Sequence, residues 1–442
     1  YKTIYKGVKM DNIIIGSGPS GGLAALQLGK LGQNVKLIEK KHIAGTCLNE
    51  GCMVICALTD VTKFIETNNR FNKRGFIKSQ LDVSYDKIVE KIKETQTMLR
   101  SINKEECESA GNELIYGWSK IGNEGVIVNN ESFTYDNLLI ATGARPFIPD
   151  IEGNEYGLTS SDILNLDDIP EQLNIIGGGV IAIEVANIFS KLGSEVNLFA
   201  RSTVLKDIKD EDATNYILKH LIPEITIHEH VNVDKLTKNK LVLETGEEFK
   251  GKSLFATGRI PNSEIAEGIV ELNPNKTIKV NERMQTNVDN IYAAGDVTGG
   301  IQLTPIARME GVCAARNMAN YPNKISYNSV PQTLNLNTEV SFVENEKIDE
   351  NHKIVDIGFP GIAGPGNFWT IMDGETGFTK VSFDEDDNKI KRITSISPSS
   401  VSDVAYLSYI MREDYDLNDY DDFIEIHPST DTNYKIIKNM WL

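Results

Sequence analysis

Asp11-Asn-Ile-Ile-Ile15-Gly16-Ser-Gly18-Pro-Ser-Gly21 is a short apolar strand running into three spaced glycines, and an amphipathic helix reads on from it to Leu31. Gly32 ends that helix, and Val35–Glu39 reads as a second strand. Such a turn presents backbone N–H groups and the positive end of a helix dipole to a pyrophosphate. One glycine turn is weak evidence, because such turns are common. Here the whole unit recurs. Leu173–Ile176 leads into Gly177-Gly-Gly179-Val-Ile-Ala182, a helix to Leu192, Gly193, and a strand from Glu195 to Ala200. Even the helix ends agree, Lys30-Leu-Gly32 against Lys191-Leu-Gly193. Two copies in full strand–turn–helix–strand context predict two dinucleotide-binding units of Rossmann type.

The ends of the two second strands differ. Glu39 places an acid where ribose hydroxyls are gripped, so the first unit is expected to hold an adenosine with free hydroxyls, as in FAD. Position 200 is Ala, followed by Arg201, with Lys206 close behind. Cations in place of the acid favour the 2′-phosphate of NADPH, with NADH as the other option; the bland reading of Arg201 is a solvated surface charge. Ala182 stands where the third glycine would, which loosens the helix–strand contact a little.

Three further strands end in small-residue turns: Leu139-Ile-Ala-Thr142-Gly143, Leu254-Phe-Ala-Thr257-Gly258 and Ile291-Tyr-Ala-Ala-Gly295-Asp296. The first two bracket residues 145–262 as an inserted domain. The third resumes the first domain, which brings Asp296 to the first dinucleotide, where it can accept a ribityl hydroxyl.

At 442 residues with 40% hydrophobic and 24% charged residues, the chain is globular and too long for one ordinary core. No apolar run has the length of a membrane span and no signal peptide is read, so a cytoplasmic location is expected. A net charge of −18 disfavours nucleic acid and anionic membrane as partners. The acidic runs Asp384–Asp387 and Asp419–Asp422 read as solvated faces. Tyr1–Lys9 precede Met10 and are left out of the fold reading.

Of five cysteines, Cys107 and Cys313 stand alone and read as buried small hydrophobes. Cys47, Cys52 and Cys56 crowd together just after the ribose acid, on what should open the next helix. A helix N-terminus stabilises a thiolate, so a redox pair is the favoured reading. A zinc or iron–sulfur site would need further ligands at the right spacing, and no metal is expected. His228-Glu-His230 lacks a third ligand and reads as an exposed strand.

Taken jointly, Gly16–Gly21 with Glu39, Gly45-Thr-Cys47-Leu-Asn-Glu-Gly-Cys52, Ala141-Thr-Gly143, Gly177–Glu184, Ala256-Thr-Gly-Arg-Ile-Pro-Asn262, Ala294-Gly-Asp296 and His427-Pro428 make the chain similar to the FAD-dependent pyridine nucleotide–disulfide oxidoreductases over Met10–Asn433. These include dihydrolipoamide dehydrogenase and the glutathione, mycothione and mercuric reductases. The resemblance implies an α/β fold of two Rossmann-like domains with a C-terminal α+β dimerisation domain. The boundaries it gives are 10–144 with 263–322 for FAD, 145–262 for NAD(P)H and 323–442 for the interface.

The resemblance also implies roles. Cys52 would face the flavin, Cys47 would attack a small disulfide substrate, and His427 would reach in from the second subunit of a homodimer as the base. Glu184 and Asp431 are the accompanying carboxylates, and Thr46, Thr142, Gly143 and Gly258 are cofactor-contacting positions. The departures cluster near the flavin. Cys56 stands where the family has a lysine, so Glu184 loses its partner; Val180 replaces an aromatic lid; and the acid that follows the histidine is displaced to Asp431, with Thr432 in its usual place. The function expected is an NADPH-dependent reductase of a small disulfide. Its alternatives are an NAD-dependent dihydrolipoamide dehydrogenase, a flavin oxidase or quinone reductase, and a flavin-bearing subunit without turnover.

Overall fold

The computed structural model describes residues 9–345, 348, 352–413, 415 and 424–439; the acidic run Asp419–Asp422 lies outside them. Two parallel five-stranded sheets dominate. The first has the order Ile291–Ala293, Asn137–Ile140, Asp11–Ile15, Asn34–Glu39, Glu113–Tyr116. The second runs Thr226–Glu229, Glu195–Ala200, Gln172–Ile176, Lys252–Phe255, Leu158–Thr159. Their central strands are continuous apolar runs because helices cover both faces. Ile14, Leu138 and Leu139 are wholly buried in one sheet, Leu173 and Ile175 in the other.

Both glycine turns form as the repeat predicts. The helices Pro19–Lys30 and Val180–Leu192 follow directly on Gly18 and Gly179. At Gly16 (φ +102°) a Cβ would lie 2.2 Å from the Ala141 carbonyl oxygen, and at Gly177 (φ +137°) 2.2 Å from that of Ala256. Each turn therefore presses on the end of the neighbouring Ala-Thr-Gly strand, which only glycine allows. The strand Ile291–Ala293 returns to pair with Asn137–Ile140 of the first sheet, carrying Asp296 back to the first turn.

A third sheet is antiparallel, in the order Gln332–Leu334, Val340–Glu344, Lys389–Ile396, Phe378–Asp384, Ile354–Pro360. The helix Ser400–Arg412 packs on it, and Ile436 and Ile437 of the last helix, Asn433–Asn439, are buried in the same core. No helix among the described residues is long and apolar enough to cross a membrane.

Two sequence expectations are corrected here. Asp384 is not solvated: it is 3% exposed and accepts from the N–H groups of Lys353 (3.3 Å) and Asp386 (3.0 Å). A strand end leaves such N–H groups unpaired, and the carboxylate satisfies them. His228 is half-buried rather than exposed, its ring stacked on Phe199 at 4.7 Å. Cys107 and Cys313 are buried, as expected of isolated cysteines.

Candidate active site

Both glycine turns open on one cleft of about 2390 Å³. Its lining includes Gly16, Gly18, Glu39, Thr46, Thr142, Gly143 and Asp296 from the first unit and Gly177, Gly179, Glu184, Arg201, Lys206 and Gly258 from the second. Cys47, Cys52 and Cys56 line it too. Gly21 and Ala182 serve the turns from behind, Ala182 being fully buried.

Glu39 ends its strand 7% exposed. One oxygen accepts from the Ser17 N–H (3.0 Å) and hydroxyl (2.6 Å), the other from the Lys41 N–H (2.8 Å). The acid is thus locked over the glycine turn. Nothing lies within 4 Å of a Cβ placed on Gly179, and at Gly18 only the Gly45 Cα comes so near, so both turns keep a bare backbone on the cleft side. These features fit a dinucleotide at each turn, with free ribose hydroxyls at the first. Arg201 and Lys206 are exposed beside the buried Ala200, which leaves the second turn with cations and no acid.

Thr142 donates to the Asn262 carbonyl (2.7 Å) and Asn262 Nδ2 returns a bond to the Thr142 carbonyl (2.8 Å), which ties the two crossings between the sheets. Asp296 faces Arg259 Nε at 4.0 Å, and Arg259 also reaches the Ala144 carbonyl. Burial raises the Asp296 carboxyl and the guanidinium opposes it. Arg259 sits in a motif read from the sequence, but its role was not.

The cysteines fall on two helices rather than one. Cys47 lies in the short turn Gly45–Asn49, while Cys52 is the first residue of the helix Cys52–Lys73. Hydrogen bonding with Cys47 is the largest influence on Cys52 and lowers its thiol to about 6. The same bond and burial push Cys47 upward. Thr304 adds a contact at 3.6 Å to Cys52 Sγ. Thr304 opens its own helix just before Pro305, a helix-start signal visible in the sequence.

Glu184 lacks a cationic partner among the described residues. Asn335 N–H donates to Oε1 at 2.8 Å, yet burial prevails and lifts the carboxyl to about 7. Asn335 Nδ2 lies 3.9 Å from Cys56 Sγ. No sequence signal marks Asn335; only the packing of the third sheet brings it here. Val180 is half-buried at the cleft.

His427 is exposed and does not line the cleft of its own chain. Asp431 shares no hydrogen bond with it. Its oxygens accept instead from Tyr406 (2.7 Å) and from the Asn433 N–H (2.8 Å), at the start of the last helix. Below it, Asp403 is raised to about 7 by burial and by the Asp431 charge. Among the described residues, the group with metal-like spacing is His352, Asp384 and Asp387, not the cysteines; Asp387 there already pairs with Lys391 at 2.7 Å.

Two dinucleotide cradles meeting at a polarised thiol pair define a flavin- and pyridine-nucleotide-dependent oxidoreductase. The chain belongs to the pyridine nucleotide–disulphide oxidoreductases, whose family model matches residues 10–311. It is 31% identical over 430 residues to an uncharacterised protein of Methanocaldococcus jannaschii, covering 96% of each chain. It is 29% identical to the dihydrolipoyl dehydrogenase of Bacillus subtilis, over 95% of this chain and 96% of that one. The HOCl-induced flavoprotein disulfide reductase RclA of Escherichia coli has the same fold, with TM-score 0.84 and 23% identity over 97% of this chain and 98% of that one.

Proposed function

We propose that the chain reduces a small disulfide with electrons from NADPH, through FAD and the Cys47–Cys52 pair. The observation that carries this reading is the polarised pair itself: a Cys52 thiol lowered to about 6 by Cys47, in the cleft that both glycine turns share. When bound, FAD supplies the relay between a hydride donor and a dithiol. Gly16, Gly18 and the start of the helix Pro19–Lys30 would hold its pyrophosphate, and Glu39 its ribose. Gly177, Gly179, Arg201 and Lys206 would hold the phosphates of NADPH.

Cys52 is the thiolate at neutral pH. Cys47 keeps its proton until a base takes it, and the thiolate so formed attacks the substrate disulfide to give a mixed disulfide. A base is needed for the departing thiol. His427 is exposed and does not line its own cleft, which supports the reading that a second copy supplies it, with residues 323–442 as the dimer surface and residues 145–262 as the nicotinamide domain. With Asp431 engaged by Tyr406, the histidine would work without that acid.

The kinship to dihydrolipoyl dehydrogenases favours a second reading, oxidation of a dithiol with NAD. The test is turnover of NADPH and NADH in parallel with glutathione, coenzyme A, bacillithiol, mycothiol and lipoamide disulfides. Steady NADPH consumption with one small disulfide, lost in Cys47→Ala, is expected. NAD reduction by dihydrolipoamide alone would establish the second reading, and cofactor oxidation unaffected by Cys47→Ala would overturn both.

A further inference from the structure

The loop that carries Arg201 and Lys206 leaves the strand Glu195–Ala200 and is pinned to its surroundings. At its start the Val231 N–H donates to the Ala200 carbonyl at 3.1 Å. Past Thr203 the chain turns inward, with Val204 1% and Leu205 2% exposed. Arg201, Ser202, Thr203 and Lys206 stay exposed and line the cleft. The Leu205 N–H donates to the Gly178 carbonyl at 2.8 Å. A Cβ on Gly178 would stand 3.2 Å from Val204 Cγ1 and 3.3 Å from Val204 Cα. Loop and glycine turn therefore pack as one unit, the first carrying cations and the second a bare backbone.

A further anchor comes from the next strand. Thr226–Glu229 runs parallel to Glu195–Ala200, with Glu229 in register with Ala200. The acid missing at Ala200 thus stands one strand over. It does not line the cleft; its Oε1 accepts from the Val204 N–H at 2.7 Å. N–H groups just past a strand end have no ladder partner, and in a buried bend each needs an acceptor. Gly178 supplies one for Leu205 and Glu229 one for Val204. Leu205 has φ +53°, a left-handed conformation that residues with a side chain rarely adopt, so its neighbours must hold the bend in place. Of these ties, the one from Glu229 is made by a side chain, and a substitution can remove it.

Resting on the NADPH reading proposed above, we propose that Glu229 is a positioning residue for the 2′-phosphate site. By accepting the Val204 N–H it holds residues 201–206 in the form that presents Arg201 and Lys206 on the cleft. Charge-assisted bonds to a phosphate are strongest when the cations are in place beforehand. Without this tie, residues 201–203 would hang from Ala200 as a loose segment, and ordering them would weaken binding. Glu39 is assigned to its ribose directly, whereas Glu229 acts through the backbone of the loop. Its bond and its charge have opposite effects. The bond favours a phosphate, while an anion in the same domain repels one.

That opposition sets the test. The holoenzyme is titrated calorimetrically with adenosine 2′,5′-bisphosphate and with 5′-AMP, and the ratio of the two affinities is read. Glu229→Ala should lower the ratio about tenfold, as expected for losing one hydrogen bond to a carboxylate and the order it imposes. Glu229→Gln should keep or raise it, because the amide oxygen still accepts the Val204 N–H and the charge is gone. A ratio unmoved in Glu229→Ala, or lowered equally in Glu229→Gln, would overturn the proposal alone. Wild-type protein that binds both nucleotides equally would overturn the NADPH reading and the proposal with it. Hydrogen exchange of the wild-type holoenzyme gives a check that needs no variant. The Val204 amide should exchange at least about tenfold more slowly than that of the exposed Ser202, and equal rates would overturn the proposal.

Discussion

Cys47 and Cys52 act on each other so that the two thiols of one pair are displaced in opposite directions: Cys52 falls to about 6 while Cys47 is held up. A bond to a charged acceptor is worth about 1.5–3 kcal/mol, or about one to two pH units of the acceptor's titration. Cys47→Ala should therefore raise Cys52 by about that amount. Thiolate absorbance of the reduced protein against pH measures it. An unmoved Cys52 would assign its acidity to the helix end and Thr304 instead.

Ser17 and Lys41 hold both oxygens of Glu39, the carboxylate that the proposed function assigns to the FAD ribose. Glu39→Gln keeps the shape and removes the charge. Loss of one charge-assisted bond should weaken FAD by about 10- to 100-fold. Flavin retained per chain after dialysis, read from the visible absorbance, checks this. Full retention would place the ribose elsewhere.

Arg201→Glu tests the choice of nicotinamide cofactor. The acid would repel a 2′-phosphate and bond ribose hydroxyls, so the NADPH-to-NADH ratio of kcat/KM should fall by about tenfold or more. An unchanged ratio would make Arg201 a surface charge.

Asp403 predicts a pH-dependent stability in the C-terminal part of the chain. Its carboxyl titrates at about 7 when folded, above the usual carboxylate value of about 3.9, because it is buried and faces Asp431. The folded state then binds the proton that the unfolded state has released. Stability falls as pH rises from about 4 to about 7 and is level above, a loss on the order of a few kcal/mol. Asp403→Asn should flatten this dependence and raise the melting temperature at pH 8. Ser399 donates to Asp403 at 2.6 Å and can still do so to the amide oxygen. An identical melting profile in both proteins would show that the pair relaxes into solvent.

The sequence by itself determined both glycine turns, the acid at Glu39 and its absence at Ala200, the return of the Asp296 strand and the crowding of Cys47 and Cys52. These are local properties. A tight turn requires glycine wherever it falls, and a parallel strand buried on both faces must be a run of apolar residues. The sequence also left Glu184 without a lysine, so that burial raises its carboxyl with no cation to oppose it among the described residues. The tertiary structure decided what depends on groups brought together from distant segments. It set Cys47 against Cys52 across a helix break, brought Thr304 and Arg259 to the cleft, placed Asn335 between Glu184 and Cys56, and gave Asp431 to Tyr406 rather than to His427. Hydrogen bonds and desolvation act over a few ångströms in space. No spacing along the chain encodes which side chains from three separate sheets arrive within that range.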